Sequence, residues 1–184
     1  MAIKRIFVAI DISEDVRREI ADHISRLKKV YPHTMVKWEP IEKFHLTMKF
    51  FGDTDELQLA RINDQVARAA ASVSPFKLVA RGPGSFRRRE SAVLWIGVEE
   101  SPGQVGRLSQ IAHILEGGGR ELRRFHPHIT IARIKKPAQA RELIDAHNRS
   151  DLDAHEFLVD HLTIYESKLL PSGSVYSVIS RQAL

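Results

Sequence analysis

The sequence predicts an α+β fold built from two similar lobes, and three observations support that reading. Apolar runs of strand character and amphipathic helical stripes are mixed through both halves of the chain. No Gly/Ser-rich or Pro-rich linker interrupts the 184 residues, so residues 1–184 read as one domain. A His-x-Thr triplet occurs at His45 and again at His128, 83 residues later and close to half the chain length, as an internal duplication requires.

The elements follow in order. Residues 5–12 read as a buried strand, and Ser13 caps a helix whose Val16, Ile20, Ile24 and Leu27 fall on one face. Residues 35–38 form a short extended piece, and 44–51 a stronger strand that is expected to end in a turn at Gly52. Asp53 and Glu56 have the spacing of a capping pair, after which Leu59, Ile62, Val66 and Ala69 continue a helical stripe. Strands at 76–80 and 92–98 are separated by a Gly82-Pro83-Gly84 turn and the basic run Arg87-Arg88-Arg89. Ser101-Pro102 supplies the start of a helix through Val105, Leu108, Ile111, Ala112 and Leu115, which stops at Gly117-Gly118-Gly119. A strand at 126–131, a short helix opened by Pro137, and terminal strands at 157–169 and 175–180 complete the chain.

Composition narrows the chemistry. Zero cysteines exclude disulfides, thiolate zinc sites, iron–sulfur ligation and cysteine nucleophiles. With 43% hydrophobic residues, a chain of this size buries roughly 70% of its unfolded surface without such staples. No apolar run spans a membrane and residues 1–5 lack the character of a signal peptide, so a soluble, cytoplasmic protein without membrane contact is expected. The formal charge is a modest +5, yet residues 120–136 hold six Lys or Arg against one Glu, which equals the whole excess. That stretch brackets the second triplet and fits an anionic partner.

Only five threonines occur, and three follow a histidine by two positions: Thr47 after His45, Thr130 after His128 and Thr163 after His161. With nine histidines in the chain, about 0.25 such coincidences are expected by chance. On a strand, the period of two puts imidazole and hydroxyl on one face, about 7 Å apart along the strand, and turns the intervening Leu or Ile toward the core. Two triplets facing each other would offer one phosphate an acid, a base and two hydroxyls, a phosphoester-cleaving set that needs no metal or other cofactor. His126 and His128 form an H-x-H, but no H-E-x-x-H motif or Asp/His cluster accompanies it, so no catalytic metal is expected.

The contexts of the first two triplets carry a resemblance. His45-Leu46-Thr47-Met48 and the run from Pro127 through His128 and Thr130 to Arg133 resemble the two signature motifs of the 2H phosphoesterase superfamily. The similar branch is that of RNA 2′,3′-cyclic phosphodiesterases and bacterial and archaeal 2′-5′ RNA ligases. Residues 5–10, 86–98 and 162–176 resemble its opening strand, central strand and closing hairpin, so the likeness covers nearly the whole chain. It implies two pseudo-symmetric lobes whose antiparallel sheets face a central cleft, with helices outside. It also implies hydrolysis of RNA or nucleoside 2′,3′-cyclic phosphates to 2′-phosphates. His45 is then the general acid toward the ribose 3′-oxygen, His128 the general base toward water, and Thr47 and Thr130 bind the non-bridging oxygens. Arg133 carries over as a phosphate or base contact and Phe50 as a stacking surface. Strict alternation, however, puts both on the strand face opposite their histidines, so a twist or bulge must intervene for either to reach the cleft. The likeness gives His161 no catalytic role. The expected partners are RNA ends or small nucleotides bearing a 2′,3′-cyclic phosphate, and a monomer is the default expectation. A 2′-5′ RNA ligase acting by the reverse reaction and a non-catalytic RNA-end-binding module remain as alternatives.

Overall fold

Ile6, Phe7, Val8, Ala9 and Ile10 are all buried in β1 (Lys4–Asp11), as in a strand covered on both faces. The computed structural model describes residues 3–32, 35–117, 125–171 and 173–184. The Ser13 hydroxyl accepts the Val16 amide at 3.4 Å and opens α1 (Glu14–Val30), whose Val16, Ile20, Ile24 and Leu27 enter the core. β2 (Val36–Trp38) and a short 3-10 turn, Ile41–Lys43, lead into β3 (His45–Thr54) and α2 (Glu56–Ala71). β4 (Phe76–Arg87), β5 (Ser91–Glu100), α3 (Arg107–Leu115) and β6 (His128–Lys135) follow. α4 (Arg141–Arg149), β7 (His155–Val159), β8 (His161–Leu170) and β9 (Gly173–Ala183) close the chain.

The strands form one curled antiparallel sheet in the order β7-β4-β5-β6-β3-β1-β8-β9, with β2 beside β6. The order divides into two halves of four strands, joined where Leu46 of β3 pairs with Ile129 of β6. Helices change sides between the halves. α1 leaves β1 and packs on β7 and α4 of the other half, while α3 leaves β5 and packs on β3 and α2. Among the described residues no helix is long and apolar enough to cross a membrane.

Several local expectations are corrected. Gly52 does not end β3; it lies inside the strand at φ +77°, opposite Ile6 and next to a register shift against β1. The capping box is Asp55 with Gln58, each side chain bonded to the other's amide at 2.8 and 3.1 Å, and not Asp53 with Glu56. Gly82-Pro83-Gly84 runs within β4 as a bulge against β5 instead of turning the chain. Ser101 and Pro102 do not start α3. The Glu100 carboxylate does, accepting the Gly106 and Leu108 amides at 2.7 and 2.8 Å, which leaves Val105 outside the helix. The expected strand at 157–169 is two strands broken at Asp160, because β7 pairs with β4 and β8 with β1, in opposite halves. His33, Gly118, Gly119, Arg120, Arg123 and Arg124 lie outside the described residues.

Candidate active site

The pairing of Leu46 with Ile129 sets the first two triplets side by side on the central strands. Both middle residues are fully buried on one face of the sheet. His45, Thr47, His128 and Thr130 turn to the other face and line one cleft of about 250 Å³. With Leu46 opposite Ile129, antiparallel register puts His45 across from Thr130 and Thr47 across from His128.

Phe50 and Arg133 line the same cleft, because each central strand carries one extra residue just after its threonine. Against β1, Thr47 pairs with Ala9 and Lys49 with Val8, leaving Met48 over. Against β5, Thr130 pairs with Trp95 and Ala132 with Leu94, leaving Ile131 over. A one-residue bulge reverses the facing of everything beyond it, which resolves the parity conflict at both positions. Phe50 is 67% exposed, with its ring 5.6 Å from that of Phe7. Arg133 Nε donates to Glu39 Oε1 at 3.2 Å.

The two histidines are held alike. His45 Nδ1 lies 2.6 Å from the Lys43 carbonyl oxygen, and His128 Nδ1 lies 2.7 Å from that of His126. A carbonyl only accepts, so Nδ1 carries the proton in each neutral ring and Nε2 keeps its lone pair. At His45 that lone pair accepts the Thr47 hydroxyl at 2.9 Å. Burial pushes both imidazoles below their ordinary value of 6.5, against the carbonyl bonds, which pull upward; at His128 the neighbouring His126 and Arg133 charges push further down. Both rings are therefore neutral bases at pH 7.

Lys43, Glu39, Tyr176, Phe86 and Val93 complete the cleft, and none was anticipated as a site residue. Lys43 had a faint signal, since it stands two residues before the first triplet. Tyr176 arrives on β9 and had none. The Lys43 ammonium donates to the Ser174 carbonyl and lies 5.6 Å over the Tyr176 ring.

The family model described as the 2′-5′ RNA ligase superfamily matches residues 16–169, a span that includes both triplets. The chain belongs to this superfamily. An RNA 2′,3′-cyclic phosphodiesterase of Thermotoga maritima is 32% identical over 179 residues, covering 95% of this chain and 92% of the relative. One from Methanothermobacter thermautotrophicus is 31% identical over 179 residues, covering 94% and 95%. Among solved structures, TT0787 of Thermus thermophilus matches with a TM-score of 0.74 at 27% identity, over 98% of this chain and 97% of that one. Escherichia coli LigT shares the fold, with a TM-score of 0.73 at 23% identity over 100% and 99% of the two chains.

In this superfamily member the third triplet stands apart from the cleft lining. His161 Nε2 lies 3.0 Å from Asp11 Oδ2 and its Nδ1 bonds the Asp160 carboxylate. Thr163 donates to Asp11 Oδ2 at 2.9 Å and Tyr165 to Asp11 Oδ1 at 2.5 Å. Burial raises the Asp11 carboxyl, but these hydrogen bonds together hold it below its ordinary value. This triplet therefore satisfies a sheltered carboxylate. Arg87 pairs with Asp145 of α4 at 2.5 Å, and none of Arg87, Arg88 and Arg89 lines the cleft. His126 lends its carbonyl to His128, and among the described residues no group of three His, Asp or Glu could hold a metal ion.

Proposed function

We propose that the chain hydrolyses 2′,3′-cyclic phosphates at RNA or nucleotide ends to 2′-phosphates, with residues 1–184 acting as one unit and each half contributing one triplet. The observation that carries this reading is the Leu46–Ile129 pairing, which turns two His-x-Thr triplets onto a single cleft. The relatives named RNA 2′,3′-cyclic phosphodiesterase support the substrate class.

The phosphate sits between the triplets, its non-bridging oxygens on the Thr47 and Thr130 hydroxyls, with the Arg133 guanidinium balancing charge and Phe50 under the base. Its negative charge favours protonation of one imidazole, placed here on His45 Nε2, which frees the Thr47 hydroxyl for the phosphate. His128 Nε2 takes a proton from water as the water oxygen bonds phosphorus. The bond from phosphorus to the 3′-oxygen breaks, and His45 returns its proton to that oxygen. Each transfer contributes typically about 10²- to 10⁴-fold, and fixed donors around the phosphorane add more. A 5′-hydroxyl in the place of water would give a 2′-5′ bond by the same transfers, in keeping with the superfamily's description.

Product analysis on a nucleoside 2′,3′-cyclic phosphate in EDTA tests the reading. Turnover to the 2′-phosphate is expected to survive chelation and to persist in His161→Ala. It should fall by about 10² or more in His45→Ala and in His128→Ala. A 3′-phosphate product, or activity lost to the chelator, would contradict it.

A further inference from the structure

The cleft opens on its β1 side into a second pocket of about 640 Å³, large enough for a nucleotide, and the two share Glu39, Lys43, Phe50, Arg133 and Tyr176. Two cations line this pocket without lining the cleft, and neither has a role in the chemistry above. Arg5 stands two residues before Phe7 on β1 and so faces the same side of the sheet. Lys37 of β2 is the register partner of Arg133 on β6, and opposed residues share a face, so it extends the cationic side of the cleft. Arg133 has Glu39 and Lys43 has the Ser174 carbonyl, but among the described residues no carboxylate pairs with Arg5 or Lys37. Trp38, Phe50 and Tyr176 supply flat apolar surface between them.

The chemistry fixes how a substrate would lie. In an in-line displacement the attacking water enters from the His128 side and the 3′-oxygen departs toward His45. The ribose bearing the cyclic phosphate then sits on the His45 side, where Phe7 and Tyr176 lie with ring centroids 5.0 and 5.7 Å from the imidazole. Its own 5′-phosphate leads away from the reacting phosphorus on that same side, which is the side of the larger pocket.

We propose that this pocket holds the nucleotide preceding the cyclic-phosphate nucleotide, with Arg5 and Lys37 binding the phosphodiester that joins them. The preferred substrate is then an RNA end of at least two nucleotides and not a free nucleoside cyclic phosphate. This rests on the hydrolytic reading and on His45 as the acid.

The test compares kcat/KM for adenylyl-adenosine 2′,3′-cyclic phosphate with that for adenosine 2′,3′-cyclic phosphate, in the full chain and in R5Q/K37Q. Two charge-assisted phosphate contacts predict a preference of about tenfold or more for the dinucleotide. In the double variant the ratio is expected to fall to within about twofold of one. A native ratio near one, or a preference that survives R5Q/K37Q, would overturn the assignment while leaving hydrolysis itself intact. Titration with the dinucleotide ending in a 2′-phosphate separates the two claims if no turnover is seen. Binding that weakens in R5Q/K37Q, with a salt slope shallower by about 0.7 per lost contact, keeps the pocket assignment and removes the hydrolytic reading. Binding unchanged by the substitutions removes both.

Discussion

At the scale of residues, His45 and His128 each give their Nδ1 proton to the carbonyl two positions upstream, so each presents Nε2 to the cleft. This has a consequence for pH. Burial lowers both imidazoles below 6.5 in the free protein, and the proposed reaction needs one charged and one neutral. The singly protonated form is therefore most populated on the acid side of 6.5, where kcat/KM is expected to peak in a bell-shaped profile. Bound phosphate raises the acid's affinity for its proton, so kcat should peak at higher pH than kcat/KM. A flat kcat/KM profile between pH 5 and 9, or a single limb, would be inconsistent with paired histidines. The histidines and threonines were legible because the triplet recurs. The carbonyls that orient the rings were not, since a backbone group leaves no mark in the sequence. Nor were Glu39 and Tyr176, which only tertiary pairing brings to the cleft.

At the scale of elements, amphipathic periodicity was enough to locate α1 and α2, whereas glycine and proline misled. Gly52 and Gly82-Pro83-Gly84 carry the same signature whether a strand turns or bulges, and only the partner strand decides which. The bulges at Met48 and Ile131 have no such marker at all, although they bring Phe50 and Arg133 into the cleft. Gly84 illustrates what a strand glycine does here. The Trp95 ring lies close against it, so an added Cβ would come to 2.2 Å from that ring. Trp95 in turn packs 4.8 Å from His126 and 6.2 Å from His128. Gly84→Ala is expected to cost about 1–3 kcal/mol in chemical denaturation by overpacking, with reduced turnover as the indole is displaced toward His128. A variant of native stability would mean that the indole has room to move.

At the scale of the whole molecule, the spacing of 83 residues between triplets foretold two halves, but not that each half borrows a helix from the other. Of the Lys and Arg described in the basic stretch at 120–136, Arg133 is the one that lines the cleft beside His128 and Thr130. One buried contact ties the helices of the second half together. His23 of α1 meets His147 of α4 at 2.9 Å, and His147 Nε2 donates to the Gly84 and Trp95 carbonyls at 3.1 and 3.2 Å. Its Nδ1 then accepts from His23 Nε2, and a proton added there would break that bond. Burial pushes both rings down, His23 to about 4 with help from the His147 charge. His23 takes up a proton in the unfolded chain as pH falls through 6.5, and in the folded chain not until near 4, so its contribution to stability drops across that window. Urea denaturation is expected to show this loss, and His23→Gln should flatten it; equal slopes in the two proteins would exclude the pair as its source.

In the proposed reaction one triplet from each half acts on a single phosphate. Measuring kcat/KM for His45→Ala, His128→Ala and the double variant tests it most directly. If the two histidines serve one transition state, the double variant falls about as far as the worse single variant. If the two losses multiply, each histidine works independently, and a shared phosphate is contradicted.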